Sequence, residues 1–129
     1  MRQLLNIRAV LLATLAAFST TAPLSAAEDH HIPKFGGVVV ETKAGDIEIV
    51  AKPESLQIYI TDHGKPMKID GAKAKVTLLN GTEKSEIELA VAGNKFEAKG
   101  AFKVAKGTKG IAVVTLAGTP PVTARFQIK

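Results

Sequence analysis

From Val38 onward apolar and polar residues alternate in short runs, and each run is cut by Gly, Asn, Asp or Pro before a helical repeat can develop. Period-two alternation sends successive side chains to opposite faces of a strand, so the pattern dictates a β domain with one buried and one wet face. Residues 38–42 and 47–51 flank the Ala44-Gly45-Asp46 turn, with Ile47, Ile49 and Ala51 alternating against Asp46, Glu48 and Lys52. Leu56, Ile58 and Ile60 share the inner face of the next run, after Pro53. Asp62-His63-Gly64-Lys65-Pro66 reads as a turn, followed by a brief edge segment at Met67–Ile69. The strongest local signal is residues 73–79, then Asn80-Gly81, then residues 83–91, because Asn-Gly supplies the positive φ of tight hairpins. Ala74, Val76 and Leu78 face Ile87 and Leu89 across it. Phe96 and Ala98 point inward after Gly93-Asn94, Phe102 and Val104 extend the pattern, residues 111–116 are apolar on both faces, and Val122, Ala124, Phe126 and Ile128 line the last strand. Seven or eight short strands in about a hundred residues predict an immunoglobulin-like antiparallel β-sandwich, with a small barrel as the alternative.

The segment before this domain has a different grammar. Arg2 and Arg8 precede an apolar run at 9–18 broken only by Thr14, and small residues follow to Ser25-Ala26-Ala27. That is the layout of a secretory signal peptide, cut after Ala27. The expected organisation is a signal peptide at 1–27, a flexible amino-terminal tail at 28–36 and a β-sandwich domain at 37–129, located in the periplasm. An apolar run of this length is short of the ~20 residues a bilayer span requires, so no membrane insertion is expected after processing. Cysteine is absent, which leaves packing rather than disulfides to stabilise the fold. Of the 17 basic residues Arg2 and Arg8 leave with the signal, so 15 face 12 acidic ones, a net charge of +3. Lys73, Lys75, Glu83, Lys84, Glu86 and Glu88 intersperse the two signs, and no basic cluster is interleaved with aromatics. Nucleic acid is therefore not an expected partner.

Catalysis by a nucleophile needs a hydroxyl or thiol, a base and an orienting group. The expected mature chain has two serines, Ser55 and Ser85, and one histidine in its folded region, His63. No enzyme is expected. The histidines point instead to metal. With Glu28 as the first residue, its amine, the amide nitrogens of Asp29 and His30 and the His30 imidazole make four nitrogens for a square-planar Cu(II) or Ni(II) ion. His31 adds a ligand for Cu(I). A second candidate pairs His63 with Met67, an imidazole and a thioether around the Gly64 turn, for Cu(I) or Ag(I). The plainer readings are a solvated tail, an exposed turn histidine held by Asp62, and a methionine that covers the core.

Gly36-Gly37-Val38-Val39, Ala51-Lys52-Pro53, Asp62-His63-Gly64-Lys65-Pro66, Gly71-Ala72 and Lys75-Val76-Thr77-Leu78-Leu79 resemble a family of small secreted Gram-negative proteins. Similar domains occur at the amino end of periplasmic adaptor subunits of heavy-metal efflux pumps. The resemblance covers most of the expected mature chain and implies a role beside metal export. Relatives often carry histidine directly before the Gly-Gly pair, where this chain has Phe35, so no ligand is carried over to that position. The sequence expectation is thus a periplasmic protein that binds or buffers copper or silver beside an efflux-system component. The alternative is a non-catalytic envelope module that pairs through a sheet edge or loop, and a carrier of lipid or another small ligand is a third.

Overall fold

A computed structural model of the protein describes residues 32–129. The described residues contain nine strands and no helix: β1 (Val38–Thr42), β2 (Gly45–Lys52), β3 (Ser55–Asp62), β4 (Lys65–Pro66), β5 (Lys73–Asn80), β6 (Glu83–Ala92), β7 (Lys95–Lys99), β8 (Lys109–Thr115) and β9 (Val122–Gln127). All pairings are antiparallel, in the order β1-β2-β3-β7-β6-β5-β8-β9, with β4 added to the end of β3. β6 joins the two halves of the sandwich, since Glu83–Leu89 pairs with β5 and Ala90–Ala92 with β7. The outermost strands, β1 and β9, approach one another and nearly close the sheet into a barrel. The all-β expectation holds. The extra strand is the Lys65–Pro66 pair, which forms the short edge one step earlier in the chain than the expected Met67–Ile69 segment.

The alternation forecasts the core. Ile47, Ile49, Leu56, Ile58, Val76, Leu78, Phe96 and Val114 are fully buried, each contributing about 1.5–3 kcal/mol by leaving water. Ile87, Ala98, Phe102, Val104, Val122 and Ile128 pack around this centre. Phe102 and Val104 do so from a loop rather than from a continued strand. Asn80-Gly81 forms its hairpin with a shift: Asn80 is the last paired residue, opposite Glu83, and Gly81 alone takes a positive φ of 62°. That leaves the Asn80 side chain to tie down the loop before β8. It donates to the Lys103 carbonyl and accepts from the buried Thr108 hydroxyl at 2.6 Å.

β2 is the exception to one wet and one dry face. Ile47 and Ile49 point inward as expected, yet Glu48 and Val50 on the opposite face are also buried, at 6% and 5% exposure. The segment Ile32–Gly37, an arm leading into β1, covers them. At Gly37 the arm lies so close that a Cβ there would collide with the Ile49 carbonyl. Only glycine allows that approach.

Candidate functional site

The His63 turn is a two-residue connection between Asp62 and Lys65, which pair across β3 and β4. His63 has φ 48° and Gly64 φ 79°, the two positive values of a type I′ hairpin turn. A non-glycine residue in the left-handed region is uncommon, and here the turn throws the imidazole outward at 89% exposure. Its Nδ1 lies 2.7 Å from Asp62 Oδ1. An ionised carboxylate only accepts, so Nδ1 donates to it and the contact leaves Nε2 without a partner from Asp62. A carboxylate behind a histidine is the arrangement that orients and strengthens an imidazole ligand.

Met67 follows the turn and folds back, its amide donating to the Ile60 carbonyl at 2.9 Å. The side chain is half-buried against the core. With Gly45, Asp62, Leu116, Pro120 and Val122 it lines a cleft of about 580 Å³ at the end of the barrel. His63 does not line that cleft, so Asp62 and Met67 share a depression while the imidazole stands outside it. Glu28, Asp29, His30 and His31 lie outside the described residues. Among the described residues no group of three or more His, Cys, Asp or Glu side chains is placed to hold a metal ion.

The feature that sequence reading passed over is the seat of the arm. The Phe35 amide donates to Glu48 Oε1 at 2.7 Å and the Lys34 amide to Glu48 Oε2 at 3.1 Å, with Gly37 at the 3.5 Å limit. One buried carboxylate thereby satisfies a run of backbone donors that no strand pairs. The Phe35 ring stacks on Tyr59, with centroids 3.7 Å apart and planes 12° from parallel. Lys34 then reaches beyond the sheet, and its ammonium donates to the Gly64 carbonyl at 2.6 Å. Ile32, Lys34, Glu48, Tyr59 and Gly64 enclose a second cleft of about 300 Å³ between arm and turn. Lys34 is in this way fastened to the turn that holds His63.

A polar network supports Tyr59 from the other side. Its hydroxyl donates to Gln57 Oε1 at 3.1 Å, and Gln57 Nε2 donates to Glu97 Oε2 at 2.7 Å. The Gln57 bond holds the Glu97 carboxyl below the usual carboxylate range against the opposing effect of burial, with help from Lys95 and Lys99. Lys95 pairs with Glu97 at 3.5 Å while its ammonium sits 5.9 Å from the Tyr59 ring centroid. Glu48 would have been hard to single out in the sequence, since a lone acid on the outer face of a strand reads as wet. The Gly36-Gly37 pair was the available signal, because adjacent glycines before a strand permit close backbone approach. Comparison with known protein families, curated proteins and solved structures finds no match.

Proposed function

We propose that this protein is a non-catalytic periplasmic domain that binds or buffers copper or silver, placed beside a heavy-metal efflux system. The observation that carries the reading is His63: an exposed imidazole whose Nδ1 is fixed by Asp62 at 2.7 Å and whose Nε2 faces solvent. A histidine serving only to fill a turn has no need of such an orienting carboxylate, and Asn or Gly would suit the positive φ better. The amino end supplies the second ligand set, from the Glu28 amine through the amides of Asp29 and His30 to the His30 imidazole, with His31 beside it. Met67 adds a thioether in the neighbouring cleft. The resemblance to efflux-adaptor domains supports the place beside metal export.

Titration of Cu(II) into protein beginning at Glu28 tests the reading. One ion should give a visible absorption band, and adding a residue before Glu28 should remove it, because histidine then stands fourth and the chelate rings no longer close. Affinity should fall in acid, since the amine, imidazole and amides must lose protons to bind. An extended protein with the same band and affinity would refute the amino-terminal chelate. A second reading, an envelope module that pairs with another protein, is favoured by Ile32 and Phe35, large apolar residues of the arm exposed at 62% and 48%. Under that reading, photo-crosslinking from position 32 traps an envelope protein in cells, and metal leaves the yield unchanged.

A further inference from the structure

We infer that β6 carries a self-complementary pairing edge, on which a second copy of this chain docks, β6 against β6 antiparallel, about a two-fold axis at Ser85. The hairpins that β6 shares decide which way its backbone points. Asn80 and Glu83 close the β5–β6 hairpin around Gly81 and Thr82, and Ala92 and Lys95 close the β6–β7 hairpin around Gly93 and Asn94. In a two-residue hairpin the closing pair exchanges both of its backbone bonds, and the bonding direction then alternates along the strand. Glu83, Ser85, Ile87 and Leu89 therefore bond toward β5. Lys84, Glu86 and Glu88 point the other way, as Ala90 and Ala92 do toward β7.

β7 does not reach them. Its pairing with β6 ends at Ala90 opposite Glu97. The chain beyond it turns to the β2–β3 connection, where the Gly100 amide donates to the Glu54 carbonyl at 3.1 Å and the Phe102 amide to the Pro53 carbonyl at 2.8 Å. Among the described residues no backbone bond meets the outward amides and carbonyls of Lys84, Glu86 and Glu88. Glu83, Lys84, Ser85 and Glu86 are exposed although their side chains alternate between the two faces, so neither face of this stretch is covered. An open edge of this kind is a template for another strand.

The order of charges selects the occupant. Outward-pointing residues must oppose one another for the ladder to bond, so Lys84, Glu86 and Glu88 have to meet residues of the same set. Centred on Ser85, the pairing sets Lys84 opposite the second copy's Glu86, and the axis repeats that ion pair on its other side. A shift of register one way sets Lys84 on the second copy's Lys84, and the other way sets Glu86 on the second copy's Glu86. Like charges directly opposed are destabilising, so the edge recognises its own copy in one register and rejects the neighbouring ones. Within one chain Glu86 meets Lys75 of β5 at 3.0 Å and Lys84 at 3.4 Å. Lys75 keeps its place in the dimer, and the longer contact is exchanged for the second copy's Lys84. Ser85 puts a small side chain on the axis, and Glu83 stays with Lys103 at 2.7 Å.

A contact this short makes a weak dimer, so the test runs from micromolar to about 1 mM protein, by analytical ultracentrifugation and amide hydrogen exchange. Dimer should appear as concentration rises, with the Lys84 and Glu86 amides gaining protection in step. Lys84→Glu and Glu86→Lys each turn the ion pairs into like-charge pairs and should weaken association by roughly tenfold or more. Combining Lys84→Glu with Glu86→Lys restores complementarity and should restore the dimer. Ser85→Cys reads the register, because the chain has no cysteine of its own. On the axis the paired Cα atoms lie about 4.5 Å apart, within disulfide reach, and oxidised glutathione should link the copies. Glu88→Cys, about 20 Å from its copy in this register, should remain unlinked. Amide spectra check that each variant is folded. A chain still monomeric at the highest concentration, a dimer indifferent to both charge reversals, or Glu88→Cys linking as fast as Ser85→Cys would overturn the inference.

Discussion

Removing the Glu48 carboxylate should release the arm, and the size of the effect can be worked from its contacts. Glu48→Ala deletes the acceptor for the Phe35 amide at 2.7 Å and the Lys34 amide at 3.1 Å. A bond to an ionised acceptor contributes about 1.5–3 kcal/mol, so two would amount to about 3–6 kcal/mol if the freed amides stayed buried. They need not stay buried: Phe35 is 48% exposed, and the arm can lift so that water takes over both donors. The loss is therefore capped by the free energy that docks the arm, and we expect about 2 kcal/mol, or roughly 8–12 °C in Tm for a domain of this size. Urea denaturation gives the stability, and the ring-current shift of Tyr59 gives the docking, since undocking takes the Phe35 ring away. Glu48→Gln, which keeps one acceptor oxygen and loses the charge, should fall between wild type and Ala. A Glu48→Ala protein within about 0.5 kcal/mol of wild type, with an unmoved Tyr59 signal, would refute the view that this carboxylate seats the arm.

The remaining expectations concern other parts of the fold. The Glu97 carboxyl titrates below its ordinary value in the folded chain, so its contribution is present above the unfolded pKa and is lost as pH falls through the lowered folded pKa; Gln57→Leu removes the principal cause and should raise the midpoint of the Glu97 NMR titration. Glu86 is lowered in the same direction by Lys75 and Lys84 at the surface, so added salt should raise its titration midpoint toward the ordinary range. Gly110→Ala would drive a methyl group into the Phe126 ring, and a stability loss of about 1–3 kcal/mol by chemical denaturation is expected. Met67→Leu keeps the volume and loses the sulfur, so its stability cost should stay under about 1.5 kcal/mol; unchanged Ag(I) affinity in that variant excludes the thioether as a ligand.

The strands were legible because each alternation has only one way to hide its apolar half. Ala74 and Val76 opposite Leu89 and Ile87, or Phe96 after Gly93-Asn94, leave no second register that buries the same set. Asn80 shows where local grammar stops: its dipeptide marked the hairpin, but the turn begins one residue later, and the Asn80 side chain is given over to bonds with Thr108 and Lys103. Those partners lie far along the chain, beyond any turn rule. The same holds for Glu48. Its burial depends on the arm folding back across β2, a tertiary contact that strand periodicity does not encode, and the Phe35–Tyr59 stack and the Lys34–Gly64 bond follow from it. His63 could be read as a turn residue with a carboxylate neighbour from Asp62-His63-Gly64 alone. That the arm approaches it from the Gly64 side, while Met67 occupies the cleft on the Asp62 side, required the fold.

The most direct measurement is a count of silver ions by native mass spectrometry on protein beginning at Glu28, at micromolar Ag(I), with His63→Asn alongside. The wild type should hold one tightly bound ion per chain, and His63→Asn should lose most of that occupancy while keeping its fold. A wild-type chain that remains free of silver under those conditions would contradict the proposal that this protein is a metal-binding domain.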